Sequence, residues 1–234
     1  MKNIVKYGSH QIEFQLKYSN RKTLGITVKP DLTVNVSAPR TASLQTVKEK
    51  ILKKASWIIK HQNYFKSFHP LTPQRRYVNG ESHLYLGRHY RLKIKKSLRS
   101  EVKIISGFMN VGLNNHFDKN AVQKTIETWY EERAEIIFNK ILLDLHPVLE
   151  RNHIPLKPLS IRLMKSRWGS CTASKRIIIN TSLIKAPKKC IEYVIIHEMC
   201  HLKHPNHGKS FYSLQSKLMP DWEYWKNKLE NIMS

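Results

Sequence analysis

The sequence predicts an α+β fold, β-rich in its first half and mostly helical in its second. Three observations carry that reading. Short stretches that alternate apolar and polar residues dominate up to about residue 110. From about Asn120, apolar residues recur at helical spacing through AVQKTIETWYEERAEIIFNKILLDLHPVLERN. Strands grouped first and helices grouped later mark an α+β chain rather than alternating βα units. The expected division is residues 1–110, a basic β-rich region with one helix at about 41–68, and residues 111–234, a mostly helical core with a small sheet.

Each element has its own signal. Residues 11–38 read as strands: IEFQLKY alternates, and LGITVKP followed by DLTVNVSAP forms a hairpin around Pro30–Asp31. Pro39 ends the last of these strands. In TASLQTVKEKILKKASWIIKHQNYFKSF, apolar residues fall at Leu44, Val47, Ile51, Leu52, Ala55, Ile58 and Ile59, with lysines opposite. This is a helix docked on the protein surface rather than on a membrane. PLTPQRR, residues 70–76, is a linker. YVNGESHLYLGRHYRLKIKK returns to strands, with turns at Asn79–Gly80 and Leu86–Gly87, and VKIISGFMNVGL continues them. After the long helix, HIPLKPLSIRLMKS and RIIINTSLI supply further strands. Helices then run to the end, broken at Pro220. No internal repeat or low-complexity segment is evident.

Composition narrows the functional classes. A chain of 234 residues with 41% hydrophobic content and a mean hydropathy of -0.48 can bury a core. No apolar run approaches the roughly 20 residues that a bilayer span needs. The N-terminus lacks the apolar stretch of a signal peptide, so a cytoplasmic location and no membrane partner are expected. Cys171, Cys190 and Cys200 include no CxxC pair and read as small buried apolar residues. The charge is +24, from 41 Lys+Arg against 17 Asp+Glu. Residues 1–110 hold 22 basic and 5 acidic residues, and residues 111–234 hold 19 and 12. Such an excess concentrates polyanions at the surface and makes nucleic acid the expected class of charged partner. No motif for reading base sequence accompanies it.

The densest chemistry lies in HEMCHLKHPNHG, residues 197–208. Within it, HEMCH has the HExxH form. Histidines four apart share one helix face, so His197 and His201 can both reach a single zinc ion. Glu198, beside the first histidine, can lean over the metal's open position and polarise a water there. The third ligand must come from His204 or His207. His204 is seven positions from His197, about 10 Å along a straight helix, too far to share one ion. Pro205 disfavours helix at His204, and Asn206 and Gly208 form turns, so the chain can fold back and bring His207 to the third corner. Three imidazoles leave a position free, the arrangement of catalytic rather than structural zinc.

The match extends beyond this motif. SRWGSC at 166–171, IIINTSLIKAP at 178–187, YVIIHEMCHLKHPNHGKSFY at 193–212 and PDWEYWK at 220–226 together resemble the YgjP-like metallopeptidase family, relatives of the SprT-like proteases. RKTLGITVKPDLTVNVSAPR and YLGRHYRLKI extend the resemblance over most of the chain from about residue 19. It implies a zincin-like core, one zinc ion on His197, His201 and His207, and Glu198 as the catalytic base. The spacing also follows the metzincin HExxHxxGxxH, but His204 stands where that motif has glycine and no methionine turn is evident. The family pattern further singles out Arg167, Trp168, Gly169, Ser170 and Cys171 as a turn beside the cleft, and Asn180 and Tyr193 as hydrogen-bonding residues near the metal. Arg167 is a candidate for stabilising an oxyanion.

The leading expectation is a zinc-dependent hydrolase of peptide bonds, acting on protein or peptide substrates that include nucleic-acid-associated proteins. The alternatives are a basic nucleic-acid-binding protein, DNA-binding being one form of it, whose zinc site is structural or non-proteolytic, and a zinc hydrolase of another amide or ester. An intact Glu198 favours the first, since a structural site has no use for a general base.

Overall fold

The computed structural model describes residues 2–29, 31–66, 75–114, 118–164 and 167–233. The chain divides into two compact units, Met1–Pro73 and Gln74–Met233. The strands of residues 82–113 therefore pack with the helices that follow them, whereas a division at residue 110 groups them with the first strands. The turn at Pro30–Asp31 and the linker at 70–76 lie partly outside the described residues.

In the first unit, β1 (Lys2–Tyr7), β2 (His10–Ser19), β3 (Gly25–Val28) and β4 (Val34–Pro39) form a sheet in the order β1-β2-β4-β3. The first strand has no counterpart in the sequence reading. β1 and β2 pair antiparallel, as do β3 and β4, while β2 and β4 run parallel. Alternation aims Ile12 and Phe14, and Val34, Val36 and Ala38, at one face. Val47, Ile51, Ala55 and Ile58 complete that core. These four come from two helices, α1 (Leu44–Lys53) and α2 (Ala55–Lys66), not from the single helix expected over 41–68. Ser43 Oγ caps α1 by accepting from Thr46 N at 3.1 Å. The break falls at Lys54, with φ -108 and ψ 8, where no glycine or proline marks it.

The second unit opens with β5 (Ser82–Tyr85), β6 (Arg88–Lys96), β7 (Glu101–Ile105) and β8 (Phe108–Leu113), ordered β5-β6-β8-β7. Two antiparallel hairpins are again joined by a parallel central pair. The same four-strand plan thus occurs twice, although the sequence shows no repeat. Both hairpins of the second copy turn through consecutive positive φ values, at Leu86–Gly87 and Ser106–Gly107, the form that matches strand twist.

Helix α3 (Lys119–Arg151) is capped by Asp118, whose Oδ1 accepts from Ala121 N at 2.6 Å. It buries Val122, Ile126, Tyr130, Phe138, Leu142 and Leu149 in the main core. A three-stranded sheet follows, β10-β11-β9, made of β9 (Leu159–Arg162), β10 (Gly169–Cys171) and β11 (Ile177–Asn180). β11 is buried throughout and pairs parallel with β9 and antiparallel with β10. A 3-10 turn (Thr181–Lys185) leads to α4 (Lys188–Cys200), then α5 (Lys209–Leu218) and α6 (Trp222–Met233). The β5–β6 hairpin tip fixes the start of α4. Leu86 and Gly87 donate backbone bonds to Ile184 and Lys185 at 2.9 Å each. A side chain at Gly87 would collide with Pro187, 2.6 Å from its Cγ. No helix among the described residues is long and apolar enough to cross a membrane.

Candidate metal centre

Helix α4 is buried on nearly every face: Cys190, Ile191, Val194, Ile195, Ile196, Met199 and Cys200 all lie in the core. Burial drives the thiols of Cys190 and Cys200 up to about 11 and about 12, so both stay protonated and apolar. The helix ends at Cys200, and His201 is its last cap, still helical at φ -66 and ψ -17. His197 and His201 therefore keep the one-turn spacing. Beyond Pro205 the chain turns, Gly208 N bonding to Asn206 O at 2.9 Å, and α5 begins at Lys209. His207 sits in that turn.

The structure brings His197, His201 and His207 together, with one ring nitrogen of each within 4.8 Å of the others. Two of the far nitrogens are tethered. His201 Nδ1–H donates to the His204 carbonyl at 3.1 Å, and His197 Nδ1–H donates to Gln215 Oε1 at 3.0 Å. Tethering at Nδ1 leaves the Nε2 lone pairs for a cation. The Nε2 atoms of His197 and His207 lie 3.0 Å apart. Burial and the neighbouring histidines push His197 down to about 4 and lower His207, so these imidazoles are neutral near pH 7. The donor set and its tautomers fit a single metal ion, and neutral imidazoles suit zinc. His204 takes part through its backbone, and Cys200 faces the core.

Three residues of this centre escaped the sequence reading. Phe211 is fully buried, with its ring centroid 5.0 Å from His197 and 4.7 Å from both His201 and His207. It is the floor on which the triad rests. Gln215, one turn further along α5, is also fully buried and holds His197; its Nε2 has no partner among the described residues. Trp222 stacks between Tyr193 and Tyr212 at 6.3 and 5.5 Å. The signal was present: Phe211 and Gln215 are four apart on a helix opening at a glycine, and so share a face.

Glu198 is 6% exposed. Its carboxyl is raised to about 7 by burial, against the Cys171 backbone N–H bond and the Arg167 cation, which both lower it. The SRWGSC stretch, whose Ser166 lies outside the described residues, thus wraps this carboxylate. Gly169 makes room for it, since a Cβ there would stand 2.6 Å from both Cγ and Oε1 of Glu198. A cleft of about 530 Å³ is lined by Arg167, Gly169, Ser170, Glu198 and the three histidines, among others. Arg167 is exposed and its Nη1 donates to Ser170 Oγ at 3.4 Å.

Trp168, Asn180 and Tyr193 do not line this cleft. Trp168 packs on the core. Asn180 spends its side chain on backbone: Nδ2 donates to the Met164 and Arg167 carbonyls at 2.9 Å each, and Oδ1 accepts from Ser182 N at 3.0 Å. It clamps the segment before β10 rather than bonding near the histidines. Tyr193 packs its ring 6.0 Å from His197, and burial first raises its hydroxyl well above the usual range.

Residues 22–232 match the family described as YgjP-like, metallopeptidase domain. A stretch of 86 residues is 28% identical to the UTP pyrophosphatase of Escherichia coli (strain K12), covering 36% of this chain and 48% of that protein. The chain therefore matches about half the length of that curated relative. The crystal structure of the metallopeptidase zymogen of Methanocaldococcus jannaschii jannalysin is similar at 22% identity and a TM-score of 0.34, covering 42% of this chain and 94% of that one.

Proposed function

We propose that this chain, which belongs to the YgjP-like metallopeptidase family, hydrolyses peptide bonds with zinc held by His197, His201 and His207 and with Glu198 as general base. The observation behind this is a single cleft. Three imidazoles, two of them tethered through Nδ1, and Glu198, the one carboxylate among the described lining residues, open into the same space. When bound, zinc supplies an acidified water and a Lewis acid for the substrate carbonyl. Glu198 accepts the proton of the attacking water and returns it to the leaving amine. Its raised pKa, near 7, suits both halves of that transfer. Gly169 and the Cys171 N–H hold the carboxylate in place. Arg167, at the cleft's edge, stabilises the oxyanion. An extended substrate lies along β10, an edge strand of its sheet.

The charge of +24 adds a partner to this reading: nucleic acid, with protein substrates drawn from those associated with it. The test is metal analysis joined to a peptide-library digest, with and without DNA, for the parent and Glu198→Gln. Stoichiometric zinc in both proteins and cleavage only by the parent are expected. Cleavage by Glu198→Gln at the parent rate would overturn the base assignment.

A second reading is hydrolysis of a nucleoside triphosphate anhydride. The 28% identity to a UTP pyrophosphatase favours it, together with the Arg167 guanidinium at the cleft. Pyrophosphate release from UTP, measured on the same preparations, separates the two. Turnover of UTP with no cleavage in the peptide library decides for the second.

A further inference from the structure

The first unit carries no metal-binding cluster among its described residues, yet it is rich in cations: residues 1–73 hold 13 Lys+Arg and 3 Asp+Glu. Three of those cations line one cavity. Lys50 and Lys53 at the end of α1, Lys54 at the break and Trp57 on α2 surround a cavity of about 440 Å³. Its opposite wall is Thr23, Leu24 and Ile26, at and just before β3. The break at Lys54 matters here, because it sets the last turn of one helix and the first turn of the next around a single opening.

Two features distinguish this cavity from an ordinary solvated lysine face. Trp57 is 40% exposed, and His61 braces it at 4.2 Å between ring centroids while bonding to the Trp57 carbonyl at 2.9 Å. The indole is thus held with ring surface still open. Lys50, Lys53 and Lys54 make no ion pair among the described residues. The Arg21 guanidinium folds over Gly25, at the place a side chain there would occupy, and adds a fourth cation nearby. A held aromatic surface beside unpaired cations is the chemistry that binds single-stranded nucleic acid: a base stacks on the ring and phosphates meet the cations. An acidic peptide would use the lysines but leave the indole idle.

We propose that the cavity between Trp57 and Leu24, rimmed by Lys50, Lys53 and Lys54, binds a nucleotide of single-stranded nucleic acid. This rests on the nucleic-acid part of the function proposed above and gives that part a location. It does not depend on peptide hydrolysis.

The experiment is anisotropy of a labelled oligo-dT with the full chain, titrated at several salt concentrations. The variants are Trp57→Leu, Trp57→Phe, and Lys50→Gln, Lys53→Gln and Lys54→Gln combined, each checked for folding by circular dichroism and thermal unfolding. Removing the stacking ring in Trp57→Leu should weaken binding roughly 5- to 150-fold, and Trp57→Phe should restore much of it. The triple lysine variant should flatten the log–log salt slope by about 2, at about 0.7 per lost phosphate contact. Equal competition by poly-glutamate of the same charge, or by anionic vesicles, would overturn base stacking and leave a general polyanion surface. Steep, salt-sensitive binding by the parent that none of these variants alters would refute this site while sparing nucleic acid as a partner. Absence of binding by the parent at low salt would end both.

Discussion

Gly169 and Glu198 interlock: the carboxylate of Glu198 occupies the space that any side chain at position 169 would need, with Cγ and Oε1 both 2.6 Å from an added Cβ. The edge strand β10 thereby sets where the proposed base stands. Gly169→Ala should displace Glu198 and lower kcat roughly 10²-fold, the cost of about an ångström of misplacement. The histidines are untouched, so zinc content should stay stoichiometric. Full activity in Gly169→Ala would show that the contact has no part in placing the base.

Glu198 also predicts how the metal-free protein responds to pH. Its carboxyl is raised from 4.5 to about 7, first by burial. Between those values the native state holds a proton that the unfolded state has lost, so raising the pH destabilises the fold. The contribution is complete below about 4.5 and disappears as the pH rises through 7, amounting to an order of 3 kcal/mol. His197, lowered to about 4 chiefly by burial, acts in the opposite sense below its unfolded value. The difference between parent and Glu198→Gln isolates the glutamate. Urea midpoints measured from pH 4 to 8 should converge for the two proteins at the acid end relative to pH 8 once the loss of the hydrogen-bonding charge is subtracted as a constant. A parent-minus-variant difference that is flat across the range contradicts the shift.

Gln215 should govern metal affinity. Its Oε1 accepts from His197 Nδ1 at 3.0 Å and so keeps Nε2 free for the ion. Gln215→Ala is expected to weaken zinc binding by about 10- to 100-fold, read by competition with a chromogenic chelator. Gln215→Glu, which offers a carboxylate to the same imidazole, should retain tight binding. Equal affinity in parent and Gln215→Ala would remove this role.

His204 and His207 should behave differently despite being three residues apart. His204 supplies its carbonyl to His201 at 3.1 Å, and a carbonyl survives replacement of the side chain. His204→Ala should therefore keep zinc and activity within a few-fold. His207→Ala removes one of three ring nitrogens grouped within 4.8 Å and should lose zinc on dialysis. Zinc loss in His204→Ala together with retention in His207→Ala would reverse the assignment.

The centre was more legible than its surroundings, for reasons of range. His197, His201 and Glu198 lie within five residues on one helix, so spacing alone relates them. His207 followed from Pro205 and Gly208, which force a turn. The supports were harder to see. Gln215 lies 18 residues from His197, and Gly169 lies 29 from Glu198; only tertiary packing reveals those contacts. Asn180 looked like a polar residue near the metal because its position in the chain does not say where its amide points, and the structure directs it to backbone at Met164 and Arg167. In the first unit, alternation revealed the buried faces of β2 and β4. The break at Lys54 was invisible, since Val47, Ile51, Ala55 and Ile58 continue one helical stripe straight through it.

The column Tyr193–Trp222–Tyr212 also gives the protein a native optical probe. At one end Tyr193 lies 6.0 Å from His197, and at the other Tyr212 lies 6.1 Å from His207. Trp222 is therefore an indole with a neighbour reaching toward each of two proposed ligands. Cation uptake changes the field at both ends of the stack, so loading of the centre can be followed through the protein's own emission, with Trp222→Phe as the blank. No dye need enter the cleft, and occupancy can be watched while substrate is present.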